Sequence, residues 1–184
     1  FLVAVGGIIA SGKSTISDHL GGRISAPVVA SDRTRKELLG VGPTEPVREG
    51  AWSGAYSPEF SERVYGELFE RAGHVLSSGR PVLLDASFHS RVLRRRARVL
   101  ARRHGARFYF VECRASARET RRRLAERARR RSLSDGRSEI FDEFVARFEP
   151  VTELEANEHY VVDTEQPLEE SLRGVSDDLP VPSR

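Results

Sequence analysis

The sequence predicts a three-layer α/β domain built round a five-stranded parallel sheet. Three observations predict it: short apolar runs rich in β-branched or aromatic residues, longer stretches of helical period alternating with them, and a glycine-rich turn directly after the first run. Phe1 to Val5 is the first strand, an apolar run ended by Gly6 and Gly7, and Lys13 to Leu20 is the first helix. Pro27 to Ala30 is the second strand, and Thr34 to Leu39 has helical composition. Gly40 to Ser57, with its glycines, prolines and Trp52, reads as a loop rather than a linker. Pro58 to Ser78 has helical spacing and leads through a turn into the third strand, Pro81 to Asp85. Ser90 to His104 is helical, Arg107 to Glu112 is the fourth strand, and Ser116 to Arg130 and Ser138 to Phe148 are helical again. His159 to Asp163 is the last strand and Leu168 to Leu179 the last helix.

At 184 residues, with 39% hydrophobic residues, the chain fits one domain with one core, 1–184. Thirty basic residues nearly balance 27 acidic ones, so overall charge gives no strong reason to expect a polyanion, although arginines cluster near Arg94 and from Arg118 to Arg131. Cys113 is the only cysteine, which excludes an intrachain disulfide and any multi-cysteine metal site and suits the cytoplasm. No apolar run approaches the roughly 20 residues that span a bilayer, so no membrane partner is expected. The chain begins at Phe1 inside a strand, the expectation for a fragment of something longer.

The informative segment is Gly7-Ile8-Ile9-Ala10-Ser11-Gly12-Lys13-Ser14-Thr15, between the first strand and the first helix. It matches every fixed position of the Walker A motif. Glycines let the chain wrap close to phosphate oxygens, and successive backbone N–H groups at a helix start bind anionic charge. Gly7, Ala10, Ser11, Gly12, Lys13, Ser14 and Thr15 are therefore the expected ATP-binding residues, with Lys13 as a mobile charge and the Ser14 hydroxyl on Mg²⁺. The competing reading is a glycine-rich turn of an unrelated dinucleotide-type domain. Only Lys13 and Lys36 are lysines in this arginine-biased chain, and one of the two stands where a compact ammonium is wanted.

Absent residues narrow the chemistry. The only asparagine is Asn157, followed by Glu158 and His159, so a guanine-reading Asn-Lys-x-Asp is missing. Val82-Leu83-Leu84-Asp85 is followed by Ala86, which lacks the acidic pair expected of a water-activating ATPase. Transfer to a bound acceptor remains, and it needs a base and positive charge around the moving phosphoryl group. Asp32, just past the second strand, is the candidate base, and Arg35 is the candidate acceptor-binding residue. A helix cap and a solvated charge are their alternatives. Asp85 ends the third strand at the same sheet edge and is the second metal candidate beside Ser14, or else a strand-end turn carboxylate. Arg123 and Arg127, four apart on one helical face, are candidates for a lid over ATP, the alternative being a solvated arginine-rich face.

Gly7 to Thr15, Ser31-Asp32-x-x-Arg35-Lys36, Tyr56-Ser57-Pro58-Glu59 and Leu84-Asp85-Ala86-Ser87-Phe88, in that order, resemble the predicted-kinase family of AAA-like P-loop domains. The pattern is similar to the kinase domain of 5′-hydroxyl polynucleotide kinases and, more distantly, to zeta-toxin and gluconate kinases. Ser87 stands where threonine is more usual. The resemblance implies a P-loop kinase fold with sheet order 2-3-1-4-5 and an Arg-rich lid. It also implies phosphate and metal binding by Lys13 and Ser14, Asp32 as general base, Arg35 on the acceptor, and Arg123 or Arg127 in the lid. Members of this family commonly follow an aminoglycoside-phosphotransferase-like half. The functional expectation is an ATP:Mg²⁺ phosphotransferase acting on a small hydroxylated acceptor. The alternatives are a 5′-hydroxyl polynucleotide kinase, with a nucleic-acid acceptor, and a non-catalytic nucleotide-binding module regulating a fused enzyme.

Overall fold

Strands buried on both faces carry apolar side chains at consecutive positions, and three of the five strands do so. In the computed structural model, which describes residues 1–42, 45, 54–129 and 141–179, β1 (Leu2–Gly6) and β3 (Val82–Asp85) are buried along their whole length, and β4 (Phe108–Arg114) is exposed only at Arg114. With β2 (Val28–Ala30) and β5 (His159–Asp163) they form one parallel sheet in the order β2-β3-β1-β4-β5, as the sequence predicts. The register pairs Val5 with both Asp85 and Val111, so β1 feeds the following turn from the centre of the sheet's carboxyl edge. β4 runs two residues beyond the expected Glu112, because Cys113 and Arg114 still find partners in Val162 and Asp163 of β5.

Helices cover both faces. On one, α3 (Pro58–Ser77) and α4 (Arg91–Arg103) bury Tyr65, Leu68, Ala72, Ala97 and Ala101 against Leu2, Ala4, Leu84 and Phe110. Each has an N-cap serine: Ser57 accepts from the Phe60 amide at 3.2 Å and Ser90 from the Leu93 amide at 3.3 Å. On the other face, α1 (Lys13–Arg23) and α8 (Arg173–Asp178) pack Ile16, Leu20, Leu172 and Val175 against Val3, Val5, Leu83 and Val111. α1 extends past Leu20 because Gly21 fits against Val28, where an added Cβ would lie 2.6 Å from Val28 Cγ2.

Two boundaries correct the sequence reading. α2 spans Ser31–Leu39 and begins three residues before the expected Thr34, which puts Asp32 inside its first turn, where a carboxylate favours the helix N-terminus. The expected helix Leu168–Leu179 is two helices, α7 (Leu168–Ser171) and α8. The break has a cause: Ser171 Oγ donates to the carbonyls of Asp163 and Gln166, and the next residue, Leu172, is driven into the core. α6 is described as Phe141–Arg147, its expected start at Ser138 lying outside the described residues. α5 (Ala117–Arg129) is capped by Ser116, which accepts from the Glu119 amide at 3.2 Å. The loop from Gly40 to Ser57 contains a 3-10 turn at Gly54–Tyr56.

Candidate active site

The turn after β1 is built from backbone conformations that few side chains allow. Gly7 has φ +138°, and a Cβ there would lie 2.4 Å from the Cys113 carbonyl oxygen; Gly12 has φ +87°. Ala10, at φ +57°, takes the same left-handed region without glycine's freedom, a local strain held by the surrounding turn. The turn is fixed to the neighbouring strand by Gly7 N–H donating to Ser87 O at 3.0 Å. α1 begins at Lys13, so its unpaired N–H groups open onto the hollow of the turn. Lys13 Nζ donates to Ile8 O at 2.6 Å, so the ammonium lies across the loop that carries it. Ser11 Oγ is buried with no hydrogen-bond partner among the described residues. An orphaned hydroxyl inside a nest of amides is the feature an incoming anion with bridging oxygens satisfies.

Ser14, the second residue of α1, donates its hydroxyl to Asp85 at the end of β3. Burial raises the Asp85 pKa, and the nearby Lys13 ammonium and the Ser14 hydrogen bond oppose that rise. A hydroxyl and a largely buried carboxylate at the mouth of a phosphate-shaped turn suit Mg²⁺, which takes one or two protein oxygens and fills its remaining positions with phosphate and water. No group of three or more His, Cys, Asp or Glu side chains converges on a cation site among the described residues, so an all-protein metal cage is not built here.

Asp32 lies close enough to Asp85 to raise its pKa, so the two carboxylates share one end of the sheet. They differ in environment: the Asp85 side is closed, while the Asp32 side chain is 51% exposed and lies 3.4 Å from the buried Lys36 ammonium. Arg35, three residues on, is buried. Its Nη1 donates to the Ala55 carbonyl, and its guanidinium lies 4.5 Å from the centre of the Tyr56 ring. Arg35 thus ties α2 to the 3-10 turn. Beside it, the fully buried Tyr65 hydroxyl accepts from the Phe88 amide at 3.1 Å and bonds Ser87 Oγ at 3.1 Å, which in turn bonds His89 Nδ1 at 3.2 Å.

Arg123 of α5 reaches the phosphate loop from the other side. Its Nε is 2.7 Å from Glu119, its Nη2 donates to Thr164 O at 2.7 Å, and its Nη1 to Thr164 Oγ1 at 3.0 Å and Ala10 O at 3.4 Å. Thr164 Oγ1 donates to Ser11 O at 2.8 Å, so α5, the loop after β5 and the phosphate turn are joined at one point. Beside this clasp is a cavity of about 290 Å³ lined by Gly12, Thr15, Ile16, Arg123, Thr164 and Gln166. The side chain of Arg127 lies outside the described residues. Sequence reasoning missed Thr164, Gln166 and Tyr65. The rule that ligands bind beyond the carboxyl ends of strands pointed to the residues after β5, but nothing in the spacing tied Thr164 to Ser11.

Comparisons with known proteins agree with this geometry. Residues 2–151 match the AAA domain family. The uncharacterized proteins Rv2004c of Mycobacterium tuberculosis and Mb2027c of Mycobacterium bovis are each 32% identical over 174 residues, 93% of this chain but 33% of the relative. The chain therefore spans about a third of the length of these curated relatives. Among solved structures, a gluconokinase from Sinorhizobium meliloti superposes with TM-score 0.67 at 22% identity, covering 96% of this chain and 89% of that one. Chaetomium thermophilum Kti12 with ADP-AlF3 gives 0.72 at 14%, covering 98% and 100%. The Mycobacterium tuberculosis APS kinase CysC with AMPPNP and APS gives 0.63 at 18%, covering 96% and 95%. These likenesses establish the fold. Because the family match takes in the phosphate loop, Asp32 of α2, Asp85 at the end of β3 and the clasped helix α5, the chain belongs to the AAA domain family and has the fold of the P-loop kinases.

Proposed function

We propose that the chain transfers the γ-phosphoryl group of ATP to a hydroxyl of a small acceptor. The observation that carries this reading is the pair of carboxylates of opposite environment beside the phosphate loop: Asp85, closed in and hydrogen-bonded by Ser14, and Asp32, half exposed on α2. One suits a metal, the other a proton. The triphosphate fits the nest of Gly7 to Thr15, the orphaned Ser11 hydroxyl and the Lys13 ammonium. The nucleoside fits the cavity beside Arg123 and Thr164. Mg²⁺ held by Ser14 and Asp85 would supply charge neutralisation between the β- and γ-phosphates.

The reaction then follows from charge. Asp32 takes the proton of the acceptor hydroxyl as that oxygen bonds to the γ-phosphorus, and the bond from phosphorus to the β-bridging oxygen breaks to release ADP. Lys36, buried beneath Asp32 with its ammonium 3.4 Å from the carboxylate, holds that side chain in position. Lys13 leaves Ile8 O to follow the developing negative charge. Arg35 borders the acceptor side, and Arg123 holds α5 as a lid that excludes water. The reading also takes this reaction to be cytoplasmic, with residues 1–184 as one domain joined, in longer proteins of this family, to an aminoglycoside-phosphotransferase-like half.

The test is transfer of γ-labelled phosphate from ATP to a panel of sugars and aminoglycosides and, in parallel, to a 5′-hydroxyl oligonucleotide, with Asp32→Ala as the control. A labelled small molecule that disappears with Asp32→Ala supports the proposal. Labelled oligonucleotide would replace it with polynucleotide kinase activity. Tight ATP binding with no transfer to any acceptor would overturn it in favour of a regulatory nucleotide-binding module.

A further inference from the structure

α4 carries seven arginines in thirteen residues, and its two flanks are covered differently. Along one flank runs the segment Glu149–Glu158 of this chain. Arg91 donates its amide to Glu149 at 2.6 Å, Arg94 pairs with Glu153, and Arg98 pairs with Glu155 at 3.1 Å and Glu158 at 2.8 Å. Between these carboxylates, Val151 and Leu154 pack against the core under α4. Arg94 is buried completely, with Phe88 O and Pro150 O as further acceptors at 3.0 and 3.3 Å. The chain thus shows what covers this helix: an acidic segment with apolar residues interleaved.

Among the described residues, the opposite flank repeats the chemistry without the cover. Val92 and Val99, one heptad apart, are 64% and 45% exposed. They line a groove of about 490 Å³ with Phe69, Leu100, Arg95 and Arg103. Arg96 is already engaged, paired to Glu62 at 2.6 Å and lying 5.0 Å from the Phe69 ring centre. Arg95, Arg102 and Arg103, exposed around the two valines, have no carboxylate partner among the described residues. An exposed apolar strip framed by uncompensated guanidinium groups is complementary to apolar side chains framed by carboxylates. A phosphate backbone would satisfy the arginines and leave Val92 and Val99 in water, so it fits less well.

We infer that the groove between α3 and α4 is a docking surface for an acidic amphipathic helix of a separate protein. The helix seats apolar residues on Val92, Val99, Leu100 and Phe69 and sets its carboxylates against Arg95, Arg102 and Arg103. The surface lies on the face of the sheet covered by α3 and α4, and none of its lining residues lines the cavity beside the phosphate loop. It is independent of which acceptor the site uses.

The probe is a fluorescently labelled peptide of about five helical turns in which Leu recurs every three or four positions and Glu fills the rest. Its anisotropy is followed against the full chain. Binding is expected, weakening as salt rises. Arg95→Glu with Arg103→Glu should weaken it at least about tenfold, and Val92→Asp with Val99→Asp should do the same. ATP binding, measured in the same variants, should stay unchanged and certify their fold. Absence of binding by the acidic peptide, equal binding by its Lys-for-Glu counterpart, or indifference to both pairs of substitutions would each overturn the inference. So would tighter binding of duplex DNA or anionic vesicles through the same arginines.

Discussion

The phosphate loop and helix α5 are both rich in features that suggest anion binding, but they are fixed by different means. From Gly7 to Thr15 the geometry is set by the main chain: left-handed φ at Gly7, Ala10 and Gly12, a strand before and a helix after. In α5 the arginines are set by local carboxylates. Arg122 is spanned by Glu119 and Glu126 on the exposed face, while Arg123 uses Glu119 as a hinge and reaches Ala10 and Thr164. Two adjacent arginines of one helix therefore have different tasks. Charge density in a sequence shows that cations are present; backbone constraint shows where they point.

The sharpest break would come at Lys13. Lys13→Ala should remove transfer by about a thousandfold and weaken ATP binding, because its ammonium is the one charge the loop itself carries. Measured by steady-state turnover and nucleotide titration, unchanged binding would mean that the loop amides alone hold the phosphates. Asp32→Ala should lower kcat at least about a hundredfold with the ATP Kd unchanged, since it lies on α2 rather than in the loop. A rise in the ATP Kd of the same size would move Asp32 from proton acceptor to nucleotide ligand.

The comparison within α5 predicts a smaller and asymmetric effect. Arg123→Ala should cost about tenfold in kcat/KM for ATP, because it unties α5 from Thr164 and Ala10. Arg122→Ala, which removes only exposed ion pairs, should change it less than about twofold. Equal effects would show that the helix acts as a diffuse basic face in which its two neighbouring arginines share one task.

What was legible beforehand follows the same division. The sheet was legible because β1 and most of β3 and β4 are apolar and the turn after β1 has a fixed spacing, while its order followed from the family resemblance that this turn and the later motifs carry. Asp85 beside Ser14 was legible because both lie at strand and helix ends on one edge. The clasp was not: Thr164 meets Ser11 across 153 positions of sequence, and Tyr65 meets Ser87 across 22. Such contacts depend on how whole elements pack, and no local spacing encodes them. The break at Leu172 was hidden for the same reason, since it depends on Ser171 reaching back to Asp163.

The smallest effect concerns stability and tests whether the far edge of the sheet is held by side chains, as α5 is, or by main chain, as the phosphate loop is. Glu112, buried on β4, is pushed up by burial, but hydrogen bonds from His159 at 2.8 Å and from Arg114 at 2.8 and 3.0 Å more than reverse this and hold its pKa down at about 2. A carboxyl whose folded pKa is depressed stabilises the fold above its unfolded value near 4.5 and loses that contribution as pH falls toward 2. The window is therefore acid, and near neutral pH the contribution is complete, on the order of 3 kcal/mol at most. Glu112→Gln keeps the shape and removes the charge. In thermal melts it should lower Tm by several degrees at pH 7, with the deficit shrinking between pH 5 and pH 2. A deficit that stays constant with pH would mean that β5 is held to β4 by the parallel ladder, and that the Glu112, His159 and Arg114 cluster adds packing rather than charge.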